Sequence, residues 1–237
     1  FGVDFLIRKV LDAVLAPHPP GLILLDGLGG LGKTAIVRHV VERAWITGGF
    51  GGLAWISAQR RTWNWSRLQT SDDPPLTLDR LYDLLLRQLN QSLLTFDRLF
   101  GILAEDVPAE EATFEHVLDV LSREMPNADP PPESLRAKFI SLLELLWAAP
   151  TLIVLDGLEA VEDMPAVLES MWEIVSRSQA KVIITSRRRL HEYQNAYALH
   201  MNELDSANAV LLAKHYGGER GVGSLSKASA DELNRIV

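Results

Sequence analysis

Short runs of consecutive apolar residues alternate along this chain with longer stretches in which apolar residues recur every three or four positions. Gly21-Leu-Ile-Leu-Leu25, Leu53-Ala-Trp-Ile-Ser57, Thr151-Leu-Ile-Val-Leu155 and Lys181-Val-Ile-Ile-Thr185 have the length and β-rich composition of strands buried on both faces of a parallel sheet. A weaker strand is expected at Ala196 to Met201. The helical period covers Phe1 to Leu15, where Phe5, Leu6, Val10, Leu11, Val14 and Leu15 form one stripe and Pro17, Pro19 and Pro20 end it. It returns from Lys33 to about Trp45, from Leu78 to Leu89, at Phe114, Val117, Leu118 and Leu121, from Leu135 to Leu146 after the breaker Asn127-Ala-Asp-Pro-Pro-Pro132, and near Ala166 to Ser176. Arg60 to Pro75 reads as a polar insertion. Strands alternating with helices predict a doubly wound α/β fold. From Leu204 onward only helical signals remain, which predicts a main domain over 1–203 and the start of a second, helical one over 204–237.

The first strand runs directly into Gly27-Leu-Gly-Gly-Leu-Gly32-Lys33-Thr34, the spacing of a phosphate-binding loop. Glycines let backbone N–H groups curl around phosphates, Lys33 adds a point charge for the β- and γ-phosphates, and Thr34 offers a hydroxyl to Mg²⁺. The helix that opens at Lys33 directs its positive end at the same anion. Gly27, Leu28, Gly29, Gly30, Leu31, Gly32, Lys33, Thr34 and Ala35 are therefore the expected nucleotide contacts.

Composition narrows the alternatives. The 237 residues are 47% hydrophobic and 23% charged, enough for one large domain or slightly more. A net charge of −8 disfavours nucleic acid as a direct partner, which normally meets a basic face. The absence of cysteine excludes disulfides and thiolate metal sites and fits a cytoplasmic location. Glu144 and Pro150 interrupt the longest apolar run, Leu142 to Ile153, which falls short of the ~20 residues of a membrane helix. The six histidines have no metal-ligand spacing.

Two further strand ends carry chemistry. Leu152-Ile-Val-Leu-Asp156 delivers a carboxylate to the carboxyl edge of the sheet, where it can hold Mg²⁺ opposite Thr34. Glu159, three residues on, is a candidate to orient or deprotonate a water at the γ-phosphate, with a helix-capping role as the alternative. Arg187 follows Val182-Ile-Ile-Thr-Ser186 directly and can read the γ-phosphate; Arg188 and Arg189 compete for that role, as does a plain basic turn. Gln59-Arg-Arg-Thr-Trp-Asn-Trp-Ser-Arg67 fits either a packed loop or subunit interface, or a surface that stacks on bases.

Taken in order, these elements resemble the nucleotide-binding domain of the STAND signal-transduction ATPases, in particular the NB-ARC and NACHT-like branches. Phe1-Gly-Val-Asp4 stands at the family's amino-terminal motif, Thr185-Ser-Arg187 is similar to its sensor-1 motif, and Glu203-Leu-Asp-Ser-Ala-Asn-Ala-Val-Leu-Leu212 looks like the start of its helical lid. The resemblance implies a P-loop NTPase sheet of strand order 5-1-4-3-2, ATP or ADP with Mg²⁺, and a slow ATPase switch that self-associates when ATP-bound. Lys33, Asp156, Glu159 and Arg187 would be its catalytic set, and Thr34 and Asp156 its metal ligands. Val3 occupies the position of a family arginine near the nucleotide, and Gly157 that of the second NB-ARC acid, so Glu159 matches the NACHT-like spacing. The Gly-x-Pro motif of the lid does not occur before Val237, which implies a lid only begun here, with effector and sensor domains of the parent chain outside it. A steadily turning-over ATPase and the nucleotide-binding part of a transcriptional regulator are the alternatives.

Overall fold

Six-residue apolar strands that must satisfy every backbone group pair side by side, and alternation of side chains then gives the sheet two apolar faces that helices have to cover. The computed structural model describes residues 3–18, 21–47, 49–58, 61–64, 67–70, 76–94, 133–190, 193, 195–203, 206–219 and 228–229. The elements are α1 (Asp4–Leu15), β1 (Leu22–Gly27), α2 (Lys33–Ile46), β2 (Gly52–Ser57), β3 (Arg61–Asn64), β4 (Arg67–Thr70), α3 (Leu78–Leu94), α4 (Leu135–Ala148), β5 (Thr151–Asp156), α5 (Met164–Arg177), β6 (Lys181–Ser186), β7 (Tyr197–Met201) and α6 (Ser206–Glu219). A 3₁₀ turn, Leu158–Ala160, follows β5.

The main sheet is parallel with order β2-β5-β6-β1-β7. Numbering only these strands along the chain, this is the expected 5-1-4-3-2 order read from the opposite edge. Along β1, Leu22 and Leu24 face α3, α4 and α5, whereas Ile23 and Leu25 face α1 and α2. Ile153 and Leu155 against Leu152 and Val154 repeat the alternation on β5. Each such side chain, fully withdrawn from water, contributes about 1.5–3 kcal/mol relative to exposure.

Polar links orient the three helices of the first face. Lys138 on α4, 4% exposed, reaches Asp79 Oδ1 at 2.8 Å and Asp83 Oδ1 at 2.7 Å on α3. Burial pushes its ammonium pKa down, and hydrogen bonds to the two carboxylates outweigh that and hold it above the usual lysine value. Tyr82 Oη and Ser170 Oγ, 2.6 Å apart, join α3 to α5, and Trp147 Nε1 donates to the Arg177 carbonyl at 2.5 Å, joining α4 to α5. Gln88 of α3 bonds both backbone groups of Trp55 on edge strand β2, at 2.8 and 3.1 Å, which blocks that stretch of edge from pairing elsewhere.

Several boundaries differ from the sequence pattern. The stretch expected as a polar insertion contains an antiparallel ribbon, β3 with β4, pairing Arg61 with Thr70 and Asn64 with Arg67. Thr62, Trp63, Leu68 and Thr70 are strand formers, a signal hidden by the charges around them. α3 runs on to Leu94 instead of ending near Leu89, and α5 begins at Met164 because the Asp163 side chain accepts from Ala166 N at 3.1 Å with Pro165 in the first turn. The helix expected around Phe114 to Leu121 lies outside the described residues, as do Phe1, Gly2 and 220–227.

Candidate functional site

The loop after β1 owes its shape to glycine. Gly30 and Gly32 adopt φ +83° and +89°, left-handed values that an L side chain resists, and a Cβ on either would meet nothing within 4 Å. Gly32 is also the N-cap of α2 and supplies no capping side chain, whereas Ser134 caps α4 and Asp163 caps α5 through side-chain oxygens. The first-turn N–H groups of α2 thus lack the side-chain acceptor that the other two helices have, and the residues that carry them line a cavity. A bare helix N-terminus behind two open glycines is a cradle for an anion.

Lys33 turns back over this cradle. Its Nζ donates to the carbonyls of Gly27 and Leu28, both at 2.7 Å, and the residue is 8% exposed. Burial pushes its pKa below the usual lysine value, Glu159 opposes that shift, Arg187 adds to it, and Asp156 and Asp26 oppose it. A phosphate beside it would favour the charged form still more strongly.

The expected acidic partners converge here across the fold. Thr34 donates its hydroxyl to Asp156 Oδ1 at 2.9 Å and Oδ2 at 3.0 Å, and Thr185 donates to Asp156 Oδ1 at 2.5 Å. Thr185 in turn accepts from Gly157 N at 2.9 Å, so the carboxylate is fixed from the start of α2 on one side and from the end of β6 on the other. Thr185, which the sequence marks only as part of the sensor-1-like Thr185-Ser-Arg187, thus belongs to the site in its own right. Asp156 is 5% exposed and offers its oxygens toward α2, a hard-oxygen arrangement with Thr34 that suits a divalent cation.

Glu159 sits on the 3₁₀ turn after β5, where Gly157 takes φ +80°. It caps no helix: Oε1 pairs with Arg187 Nε at 3.0 Å and Oε2 accepts from Arg187 N at 3.0 Å. The Arg187 side chain in turn lies over the phosphate loop, its Nε 3.5 Å from the position a Cβ would take on Gly29. Arg188 instead bonds Ser186 Oγ through its backbone, and Arg189 lines a neighbouring cavity of about 430 Å³ with His200 and Met201.

Lys33, Thr34, Glu159, Thr185 and Arg187 open onto one cavity of about 640 Å³. Arg38, His39 and Glu42 extend it along α2, three, four and seven positions beyond Ala35 and so on one face; only that spacing could have signalled them. Val3 is not among the residues lining this cavity. It is half-buried at the start of α1, its carbonyl accepting from Ile7 N at 2.9 Å, and it packs with the core beneath α1 and α2. Among the described residues no cluster of three or more His, Cys, Asp or Glu could hold a metal, and no helix is long and apolar enough to cross a membrane.

A family model described as the AAA ATPase domain matches residues 3–184. No curated protein sequence matches the chain. Among solved structures, the Aeropyrum pernix ORC1 protein in complex with DNA aligns with a TM-score of 0.53 at 14% identity, over 92% of this chain and 49% of that one. A STAND protein with a tetratricopeptide repeat sensor from Pyrococcus horikoshii aligns with a TM-score of 0.46 at 15% identity, over 97% of this chain and 26% of that one. C. elegans PCH-2 gives 0.40 at 13%, over 91% and 46%. The chain therefore spans half or less of each of these proteins, and the likeness to the first is one of fold.

Proposed function

The chain belongs to the AAA ATPase domain family, and from that premise we propose that it is a nucleotide-operated switch: it binds ATP or ADP with Mg²⁺, hydrolyses ATP slowly, and changes its associations with the nucleotide held. The observation that carries this reading is the double engagement of Glu159 by Arg187. The phosphate loop and Lys33 hold the phosphates common to both nucleotides, and Thr34 and Asp156 would hold the Mg²⁺, which when bound neutralises phosphate charge. Glu159 is the residue suited to take a proton from water attacking the γ-phosphate, and Arg187 is the cation suited to that same phosphate. While each holds the other, neither is free. A triphosphate competes with Glu159 for the guanidinium and a diphosphate does not, so the pair reads the difference.

The STAND-like motif set supports extending this reading to ATP-dependent self-association, with the division between sheet domain and helical lid at 203/204. A steady-turnover ATPase is distinguished by rate: a switch turns over well below about 1 s⁻¹, whereas working enzymes have a median near ~10 s⁻¹.

Arg187→Ala tests the reading most directly. Titration calorimetry with ADP and with a non-hydrolysable ATP analogue should show the preference for triphosphate falling by about 10-fold or more, the worth of one charge-assisted hydrogen bond. Equal losses for both nucleotides would assign Arg187 to the common phosphates or to the fold. Asp156→Asn should lower Mg²⁺-supported ATP affinity by about 10-fold and leave affinity in excess EDTA nearly unchanged. Equal effects with and without the metal would move Mg²⁺ elsewhere.

A further inference from the structure

Asp26 is a buried carboxylate that supports the charge of Lys33 from a distance, yet among the described residues none of its hydrogen bonds goes to the phosphate loop. It is the last residue of β1 before Gly27, lies in an otherwise apolar strand, and is 2% exposed. Such a group needs partners, and it takes them from two separate segments. Its Oδ2 accepts from Leu190 N at 2.9 Å, closing the loop that begins at Arg187. Its Oδ1 accepts from Nδ1 of His200, the residue opposite it in the β1–β7 register. One residue further along the same two strands, the Met201 carbonyl oxygen stands 2.5 Å from where a Cβ on Gly27 would lie, and Gly27 is the residue whose own carbonyl holds Lys33. The end of β7 is thus fitted against the first residue of the phosphate loop.

We propose that Asp26 is a positioning residue that passes the state of the Arg187 loop to the chain leaving the sheet after β7, through the Asp26–His200 pair. The inference rests on the nucleotide-sensing reading of Arg187. If Arg187 exchanges Glu159 for a γ-phosphate, the strain reaches Leu190 three residues on, whose N–H is fixed to Asp26. β1 is held on both sides, by β6 and β7, and has little freedom to respond. Among the described residues β7 stands at the edge of the sheet and pairs only with β1, and His200 is 40% exposed on its side chain. Of the two strands that meet at the carboxylate, β7 is the less constrained, and Asn202 and Glu203 follow it in the chain.

Coupling of this kind is established by a thermodynamic cycle and not by proximity. ADP and a non-hydrolysable ATP analogue are titrated into the unmodified chain, Arg187→Ala, His200→Ala, the double variant, and His200→Asn, whose amide nitrogen stands near the place of Nδ1. His200→Ala is expected to lower the triphosphate preference about threefold with ADP affinity kept within about twofold, and His200→Asn to recover most of the preference. The double variant should lose no more than Arg187→Ala alone. Wild-type preference in His200→Ala, or a double variant showing the product of the single effects, overturns the proposal. Failure of the unmodified chain to bind ADP overturns the nucleotide reading, and the inference with it.

Discussion

Lys33→Ala is expected to lower ADP affinity by about 100-fold or more while the domain stays folded. The ammonium is the phosphate loop's own side-chain charge, and a pair of charge-assisted bonds to phosphate oxygens is worth about 3 kcal/mol or more, which sets the fold-change. The loss to the fold is smaller. Lys33 Nζ donates to the carbonyls of Gly27 and Leu28; Leu28 is 60% exposed and water replaces that bond, leaving one buried acceptor unpaired at Gly27. One such group costs about 1–3 kcal/mol, below the ~5–15 kcal/mol of a typical domain. Thermal unfolding followed with and without ADP checks both halves: the variant should melt a few degrees lower, and the rise in Tm that saturating ADP gives the unmodified chain should vanish. A folded variant with unchanged affinity would remove the phosphate loop from the site.

How much of this was legible before the structure depends on how local each signal is. β1, β5 and β6 are apolar runs whose composition alone marks a strand covered on both sides, and the loop from Gly27 to Thr34 states its chemistry within eight consecutive positions. Asp156 could be read because it ends such a run downstream of the loop. The contacts that give the site its behaviour were not legible. Glu159 and Arg187 lie 28 positions apart and Asp26 and His200 lie 174 apart, and both pairs meet only because parallel strands align their carboxyl ends. Asp26 did carry a signal, a lone acid within an apolar strand, yet nothing in the sequence identified His200 as its partner. Val3, at the position of the resembling family's arginine, is packed with the core and does not line the main cavity. The ribbon of β3 and β4 is obscured by the charges around it, which give the stretch the look of a polar insertion although strand pairing there needs only backbone groups.

Glu159→Gln is expected to slow ATP hydrolysis by about 10²- to 10⁴-fold without loss of ATP binding, the range for removing a general base. The amide keeps the length and one acceptor oxygen of the carboxylate, so the backbone bond from Arg187 N, now 3.0 Å from Oε2, can persist and the turn after β5 keeps its form. It cannot take a proton. It also no longer draws the Arg187 guanidinium as an ion-pair partner, and that gives the variant a second signature opposite in sign to simple damage. With the competing charge gone, Arg187 is more available to a γ-phosphate, so affinity for ATP should rise by a few-fold while affinity for ADP stays level. Single-turnover hydrolysis of radiolabelled ATP measures the first effect, and paired titrations with ATP and ADP in the non-hydrolysing variant measure the second. Hydrolysis at the wild-type rate would place the base elsewhere. Slowed hydrolysis with weakened ATP binding would mean that Glu159 supports the site's shape and that its pairing with Arg187 does not hold the triphosphate state in check.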